Sequence, residues 1–278
     1  KGFELDASIY SLVNRNAFVV PNSMGNDIIF KIMAANGIRQ IPIVDDNHCV
    51  IGLHTWDDIN SNQVLTNPMV IMAGGIGKRL HPYTENCPKP MLPVYGKPII
   101  EHILMKAIAE GFSKFFISVN YLGHMIEDYF GDGRNLGVDI EYIRETKPLG
   151  TAGALFFLKS KINCPFIVTN GDVLTHMKYS ELLEFHIAQK SEATMAVRMH
   201  KWESPFGVVD INGLDIVGLK EKPVKHYHIN AGVYCLNSSI FSYLENEGTI
   251  DMTDLFVKVG EKSQRKIAYP MHESWVDV

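Results

Sequence analysis

The chain has 278 residues, of which 46% are apolar, 10% aromatic and 21% charged, as in an ordinary globular protein. This composition excludes a collagen, a disulfide scaffold and a disordered tail, and the length allows one large domain or one medium and one small domain. The 26 basic and 31 acidic residues give a net charge of −5, which argues against a nucleic-acid partner. No run approaches the roughly 18 apolar residues of a membrane helix, so we expect no membrane partner.

The cysteines predict the redox compartment of the protein, and the first residue bears on the extent of the chain. The four cysteines are far apart and form no CxxC pair, and they are Cys49, Cys87, Cys164 and Cys235. They could pair in three ways, but we expect free thiols in a reducing cytoplasm. The first residue is Lys rather than Met. We therefore expect the sequence to be part of a longer chain.

Residues 1–60 predict a small α/β unit. The predicted strands cover residues 18–20, 41–44 and 49–53. The spacing of apolar residues over 28–33 predicts a helix, and Gly37 is a natural end for it. Residues 61–67, rich in Asn and Ser, predict a linker to a second domain at residues 68–278.

This first unit resembles one repeat of a CBS domain. The resemblance rests on N-G-I-R-Q-I-P-I-V-D at 36–45, I-G-L at 51–53, and the T-x-D of Thr55 and Asp57. Such repeats work in pairs, which implies a partner repeat earlier in the chain or on another copy, and we expect a homo-oligomer. The resemblance implies that Thr55 and Asp57 contact an adenine nucleotide. A helix cap at Thr55 and a purely packing or dimerising role for the unit are the alternatives.

After residue 68 strands and helices alternate. The short apolar run at 70–72 indicates a strand buried on both faces. The alternation predicts an α/β fold, a Rossmann-like, mainly parallel sheet flanked by helices, while the strand-rich region 191–236 predicts an added mixed sheet or hairpin. The other predicted strands lie at 115–119, 138–143 and 166–169, and the predicted helices at 98–112, 124–130, 152–158 and 181–189.

A glycine loop containing Gly74, Gly75 and Gly77 follows the strand at 70–72. Backbone N–H groups of such a loop can approach phosphate oxygens closely. The loop is not a Walker A motif, since Arg79 stands where Ser or Thr would hold Mg²⁺. Nor is it a dinucleotide fingerprint, since Leu replaces the third glycine.

The stretch at 74–98 concentrates cations and prolines. Its four cations, against the single acid Glu85, are Lys78, Arg79, Lys89 and Lys97. Its five prolines are Pro82, Pro88, Pro90, Pro93 and Pro98. Because proline stiffens a loop, this pattern predicts a rigid arm that carries cations beside a phosphate-binding loop rather than a solvated connection.

This stretch closely resembles the sugar-1-phosphate nucleotidylyltransferases. Their pattern G-G-x-G-x-R-L-x-P-x-T, P-K-P-M-L-P-V and G-K-P-I-I is present from Gly74 to Ile100, with Tyr83 where Leu is common. The later motifs are N-G-D at 170–172, F-G-V-V at 206–209, E-K-P at 221–223, N-A-G-V-Y at 230–234 and W-x-D at 275–277. The resemblance implies the nucleotide-diphospho-sugar transferase type of fold. It also implies an enzyme that joins an NTP to a sugar-1-phosphate and releases pyrophosphate.

The implied reaction assigns roles on the nucleotide side. The three loop glycines would cradle phosphates, Arg79 would grip the triphosphate, and Lys89 would neutralise the α-phosphate. Asp172 follows the strand at 166–169 and would bind Mg²⁺ together with Asp277. For Asp172 alone, a turn residue is the alternative interpretation.

On the sugar side, Glu221 would accept hydrogen bonds from hydroxyls and Lys222 would pair with the sugar phosphate. Gly207 would leave room for the ring, and Asn230 is a further candidate. The alternative for Glu221 and Lys222 is the end of a surface strand.

The base pocket is expected around Glu145 and Gly150, in a loop that resembles that of the mannose-1-phosphate guanylyltransferases. Guanine presents two adjacent donors, which suit an acceptor-only carboxylate. We therefore favour GTP, with CTP, UTP and dTTP as alternatives. A salt bridge to a nearby lysine is the alternative role for Glu145.

The intact Arg79, Lys89, Asp172 and Asp277 favour an active enzyme over a nucleotide-sensing regulatory protein that keeps the fold without the chemistry. The combination with a CBS unit resembles enzymes of bacterial pathways that make GDP-linked amino sugars for surface glycans. It implies a hexose- or hexosamine-1-phosphate acceptor, with glucosamine-1-phosphate as one choice, and an adenine-nucleotide sensor that gates the enzyme.

Overall fold

The computed structural model describes residues 14, 17–56, 64–75, 77–244, 248–262 and 264–278. The chain divides into two compact units, Lys1–Val64 and Leu65–Val278. Among the described residues no helix is long and apolar enough to cross a membrane. The four cysteines, all within this part of the chain, are free thiols.

The first unit, as far as it is described, is a three-stranded sheet with one helix. Its elements are β1 (Val20–Pro21), α1 (Asn26–Asn36), β2 (Gln40–Val44) and β3 (Val50–Thr55). Strand β2 lies in the middle, parallel to β1 and antiparallel to β3. A small core of Val20, Ile29, Met33 and Ile41 joins the helix to the sheet. Helix α1 ends before Gly37, whose φ of 63° suits glycine.

The second unit is built on a seven-stranded sheet. Its strands are β4 (Met69–Met72), β7 (Lys114–Val119), β8 (Asp139–Arg144), β9 (Phe166–Asn170), β11 (Ala193–Glu203), β14 (Val224–Leu236) and β15 (Lys266–Met271). Their order in the sheet is β15-β11-β14-β9-β4-β7-β8. Three smaller pairs of strands contain β5 (Pro93–Val94), β6 (Lys97–Pro98), β10 (Val173–Thr175), β12 (Val208–Asn212), β13 (Asp215–Lys220) and β16 (Trp275–Asp277).

Strand direction makes this sheet mixed. Strands β8, β7, β4 and β9 are parallel neighbours, whereas β14 runs antiparallel to both β9 and β11. The expectation of an added mixed sheet at 191–236 was therefore wrong in part. Strands β11 and β14 complete the main sheet, and β12 with β13 forms a separate hairpin.

Helices cover both faces because alternate side chains of the buried strands are apolar on each side. The helices are α2 (Ile99–Ala109), α3 (Gly123–Phe130), α4 (Gly150–Gly153), α5 (Tyr179–Ala188) and α6 (Met252–Glu261). Ile71 and Ile117 pack into one core cluster, and Val70 and Phe116 into the other. The helix predicted at 152–158 is instead the four-residue α4 followed by a 3₁₀ turn, Ala154–Leu158.

Candidate active site

The site lies where the parallel strands end. Strand β4 runs into the glycine loop, β9 into Gly171 and Asp172, and β8 into Glu145. The Gly171 N–H donates to Met72 O over 2.8 Å, which holds the turn before Asp172 against the start of the glycine loop. In open α/β sheets the carboxyl ends of the strands are the usual place for a ligand.

Lys89 lies between two carboxylates at this edge. Its Nζ is 2.7 Å from Asp172 Oδ2 and 3.6 Å from Asp277 Oδ1. The side chains of Lys89, Asp172 and Asp277 are 18%, 27% and 56% exposed, so the pair of acids opens toward solvent while the ammonium is mostly covered. Along the chain Lys89 is 83 positions from Asp172 and 188 positions from Asp277, so the three side chains meet only in the folded structure.

The two acids are held side by side by pairing between β10 and β16. Val173 is in register with Asp277, and the Val278 N–H donates to Asp172 O over 3.2 Å. Two carboxylates that open to solvent, with space for water and phosphate oxygens, are a donor set that suits Mg²⁺. Among the described residues no group of three or more His, Cys, Asp or Glu side chains is placed to hold a metal ion. A cation here would therefore take its other ligands from water or substrate.

The glycine loop is packed against the arm that carries Lys89. Gly77 has a φ of 67°, and a Cβ on it would lie 3.1 Å from Lys89 Cβ and 3.1 Å from Thr84 Cγ2. The buried Thr84 hydroxyl donates to Gly77 O over 2.9 Å. A Cβ on Gly75, in contrast, would meet nothing within 4 Å. The loop is thus fixed at one end and open at its middle.

A cavity of about 410 Å³ adjoins this loop. Its lining includes all three predicted loop glycines, the exposed Arg79, and both Lys89 and Asp172. Backbone donors, two cations and a carboxylate in one lining can hold a polyphosphate with a bound cation.

Glu145 lies beside a second cavity of about 230 Å³, which shares Gly74, Gly75 and Asp172 with the first. The Ser118 hydroxyl donates to Glu145 Oε1, and the Leu149 N–H donates to Glu145 Oε2 over 3.0 Å. Among the contacts of the described residues Glu145 has no ion pair with a lysine, and the salt-bridge alternative stays untested. The carboxylate is held by two neutral donors instead.

Gly150, the other residue predicted for base binding, lines the same cavity. Its φ is 76°, and a Cβ on it would lie 2.6 Å from Ile250 O. The next residue, Thr151, donates its N–H to Asp251 Oδ1 over 3.0 Å. Glycine is required here by the backbone conformation and by the close approach of the segment before α6.

The predicted sugar-side residues form a separate, exposed group. Gly207, Glu221, Lys222 and Asn230 are all exposed, and a Cβ on Gly207 would lie 3.0 Å from Glu221 Oε2. Asn230 is engaged within its own strand, donating to Tyr234 Oη over 2.7 Å and accepting from the Gly232 N–H over 3.0 Å. None of the four lines either cavity beside the glycine loop.

The residues predicted for adenine nucleotide belong to the first unit. Thr55 is the last residue of β3, half-buried and in register with Gln40. Asp57 lies outside the described residues.

Two residues of the site were missed by the sequence analysis. Ser118 is a fully buried polar residue within the apolar strand β7, and this position in an apolar run is the signal that could have drawn attention to it. Thr84 is the last residue of the first family motif, and its hydroxyl holds the glycine loop by donating to Gly77 O.

Comparison with protein families gives a match over this unit. A family model described as nucleotidyl transferase matches residues 68–278. The chain is 39% identical over 208 residues to a "Bifunctional protein GlmU" of Methanococcus maripaludis, which covers 70% of this chain and 47% of the relative. It is 32% identical over 217 residues to the mannose-1-phosphate guanylyltransferase catalytic subunit beta of Drosophila melanogaster, covering 75% of this chain and 58% of the relative. The chain thus spans about half the length of the curated relatives it matches.

A solved structure has the same fold. It is described as a putative glucose-1-phosphate thymidylyltransferase from Bacillus anthracis in complex with a sucrose. The two superpose with a TM-score of 0.62 at 26% identity, covering 76% of this chain and 89% of that one.

Proposed function

The chain belongs to the nucleotidyl transferase family, and on this premise we propose that it transfers a nucleoside monophosphate from an NTP to a sugar-1-phosphate. The observation that supports this most is the placement of Lys89 between Asp172 and Asp277, beside a cavity lined by the glycine loop and Arg79. A cation and two acids next to backbone donors suit a reaction between two anions.

The reaction needs positioning more than proton transfer. A phosphate oxygen of the sugar-1-phosphate attacks the α-phosphorus, a new P–O bond forms, and the bond to the leaving pyrophosphate breaks. Because the attacking oxygen is already anionic, no general base is required. The glycine loop and Arg79 would orient the triphosphate and stabilise the charge on the pyrophosphate, and Lys89 would neutralise the α-phosphate.

Enzymes of this family generally use a divalent metal. We propose Mg²⁺, held by Asp172 and Asp277, because oxygen ligands with room for water are what this ion prefers. When bound, it supplies positive charge that offsets the repulsion between the two substrates.

Within this class we propose GTP as the nucleotide. Support comes from Glu145, whose carboxylate lines the smaller cavity and is held by Ser118 and Leu149 in a fixed orientation. A carboxylate has about four acceptor positions, so two remain for the adjacent N1–H and amino donors of guanine. The guanylyltransferase among the relatives agrees with this choice.

The acceptor is proposed to be a hexose- or hexosamine-1-phosphate used in surface glycan synthesis, bound near Gly207, Glu221 and Lys222. The exposed side chains of Glu221 and Lys222 offer acceptors for hydroxyls and a cation for the phosphate. Free thiols and an NTP substrate favour a cytoplasmic location.

A matrix of GTP, UTP, CTP and dTTP against several hexose-1-phosphates, assayed by pyrophosphate release, tests the proposal. We expect turnover with GTP, and its loss in Asp172→Asn. Turnover with another NTP alone would overturn the choice of base, and no turnover on any pair would favour the regulatory alternative.

For residues 1–60 we propose a CBS-like unit that senses an adenine nucleotide and pairs with a second repeat. The support is the sequence resemblance and the β-α-β-β order of the described elements. Calorimetric titration with ATP, ADP and AMP, with Thr55→Ala as the comparison, tests the binding. Heat that is the same for both proteins would contradict a role for Thr55.

A further inference from the structure

The backbone and Cβ of Lys89 are held in place by the packing of the arm. Lys89 begins a 3₁₀ turn between Pro88 and Pro90, in which the Leu92 N–H donates to Lys89 O over 3.1 Å. Gly77 leaves just enough room for the Lys89 stem, since an added Cβ would lie 3.1 Å from Lys89 Cβ. The packed arm therefore fixes the backbone and Cβ of Lys89, while the ammonium at the end of the side chain is held by the carboxylates it contacts.

That position coincides with the space a divalent cation would need. A cation bound to both carboxylates lies within about 2.0–2.6 Å of an oxygen of each. Lys89 Nζ is 2.7 Å from Asp172 Oδ2 and 3.6 Å from Asp277 Oδ1, so it fills the space between the same two acids. Like charges at such a separation, with the ammonium mostly covered, repel strongly.

We propose that Lys89 and a divalent cation are alternative partners of the Asp172–Asp277 pair, and that cation binding releases Lys89 toward the phosphates of the nucleotide. In the first state Lys89 neutralises the acids and keeps them together. In the second the cation takes over that role, and the ammonium is free for an anion in the adjoining cavity.

Cooperative binding follows from this exchange. The cation must displace Lys89, and a polyphosphate stabilises the displaced ammonium, so each ligand raises the affinity for the other. The competition depends on three side chains alone, while the identity of the anion rests on the proposed function.

Mn²⁺ binding to the full chain, measured by electron paramagnetic resonance without nucleotide, tests the competition. We expect Lys89→Met to bind Mn²⁺ about tenfold more tightly than the unaltered chain, because a charge in direct contact with an ionic group shifts its equilibrium by about a factor of ten or more. Arg79→Met is the matched control, since it removes a cation from the same cavity. Its Mn²⁺ affinity should change by less than about threefold, because Arg79 is exposed and its charge is screened by solvent.

If Lys89→Met binds Mn²⁺ no more tightly than Arg79→Met, the proposal is overturned. Lys89→Gln provides a second neutral variant should Lys89→Met fail to fold, and the same outcomes apply to it. Added nonhydrolysable GTP analogue should raise Mn²⁺ affinity more in the unaltered chain than in Lys89→Met, and an equal rise would also contradict the exchange.

These measurements need no turnover. A tighter Mn²⁺ site in Lys89→Met, together with no pyrophosphate release from any substrate pair, would leave the exchange standing and remove the proposed function. Turnover by the unaltered chain, together with an Mn²⁺ affinity that Lys89→Met leaves unchanged, would support the proposed function and overturn the exchange.

Discussion

The nucleotide side and the sugar side of the candidate site are built differently. On the nucleotide side, Lys89, Asp172 and Glu145 are half-buried and already contact one another or fixed backbone donors. On the sugar side, Glu221 and Lys222 are exposed beside the β12–β13 hairpin. Both faces of the two hairpin strands are open to solvent, apart from the half-buried Val208 and Gly218.

This contrast indicates which side chains of the site must be in position before the substrates bind. Charges that act on the α-phosphorus must be in position before the reaction, because reorganising them would add to the barrier. Side chains that recognise a sugar can be ordered by the sugar itself, at a cost in affinity. We therefore expect changes on the nucleotide side to lower kcat or stability, and changes on the sugar side to raise KM for the sugar-1-phosphate.

The largest expected effect is that of Asp172→Asn. Loss of one of two acids beside Lys89 should lower kcat by roughly a hundredfold to a thousandfold, the range for a single preorganised charge in a transition state. Initial rates of pyrophosphate release at saturating substrates would measure this. Asp210→Asn is the control, since Asp210 is an exposed hairpin acid, 3.3 Å from Lys220, and should keep the normal rate. Equal losses in both variants would remove the distinction between the two sides.

Gly74→Ala tests how tightly the nucleotide side is packed. A Cβ on Gly74 would lie 2.7 Å from Glu145 Oε1, so the carboxylate must move. We expect the free energy of unfolding to fall by about 1–2 kcal/mol, as for other substitutions that disturb a half-buried polar contact. Urea denaturation of Gly74→Ala and Gly75→Ala gives a matched pair. The second variant should remain within about 0.5 kcal/mol of the unaltered chain because its Cβ meets nothing.

Ser118→Ala tests whether base selection depends on a fixed Glu145. The substitution removes the hydroxyl that donates to Glu145 Oε1, and a hydrogen bond to a charged group contributes about 1.5–3 kcal/mol. We expect the preference for GTP over inosine triphosphate, as a ratio of kcat/KM values, to fall by about tenfold. Ser118→Thr keeps the hydroxyl and should restore much of the ratio. An unchanged ratio in Ser118→Ala would show that the orientation of Glu145 does not depend on Ser118.

Glu221→Gln tests the sugar side directly. Replacing an exposed carboxylate with an amide weakens its hydrogen bonds to hydroxyls, so KM for the sugar-1-phosphate should rise by about fivefold to tenfold. The KM for the NTP and the melting temperature should stay the same. Glu203→Gln, in an exposed residue of β11, is the control. A loss of kcat in Glu221→Gln without a change in KM would place Glu221 with the preorganised groups.

The smallest expected effect is the pH dependence of stability at His186, a residue of α5 that contacts the buried start of β11 and the residue that follows β14. His186 is 1% exposed, with Nδ1 2.8 Å from Thr194 Oγ1 and Nε2 3.2 Å from Asn237 Oδ1. Burial lowers the pKa of His186 from its usual 6.5, although the bond to Asn237 and the charge of Glu192 act in the opposite direction.

The unfolded chain therefore binds a proton at His186 at a higher pH than the folded chain does. The stability that the neutral ring contributes is present above pH 6.5 and is lost as the pH falls through the lowered pKa. The melting temperature should drop by a few degrees on acidification below pH 6.5, and by less in His186→Gln. Parallel slopes for the two proteins would contradict this assignment.

Local patterns in the sequence were enough to predict much of the fold. The apolar runs at 70–72 and 166–169 became β4 and β9, since continuous apolar residues suit strands covered on both faces. The position of Asp172 at the carboxyl end of the sheet was predictable too, because this residue comes shortly after the strand at 166–169. The helix at 152–158 was less predictable, because Gly153 and the contacts of the preceding loop with the segment at 248–251 shorten it.

Contacts between distant parts of the chain could not be predicted in this way. The hydroxyl of Ser118 meets Glu145 only because β7 and β8 are neighbours in the sheet. That β11 and β14 join the main sheet depends on the pairing of β14 with β9, which no local pattern specifies.

By itself, the sequence determined the family, the alternation of strands and helices, and the residue types of the site, because motifs and apolar periodicity are local properties. The tertiary structure decided which of those residues meet. It placed Lys89 between Asp172 and Asp277, since the proline-braced arm and the β10–β16 pair converge at one sheet edge. It also left Glu221 and Lys222 exposed, because the hairpin beside them pairs with no other described strand.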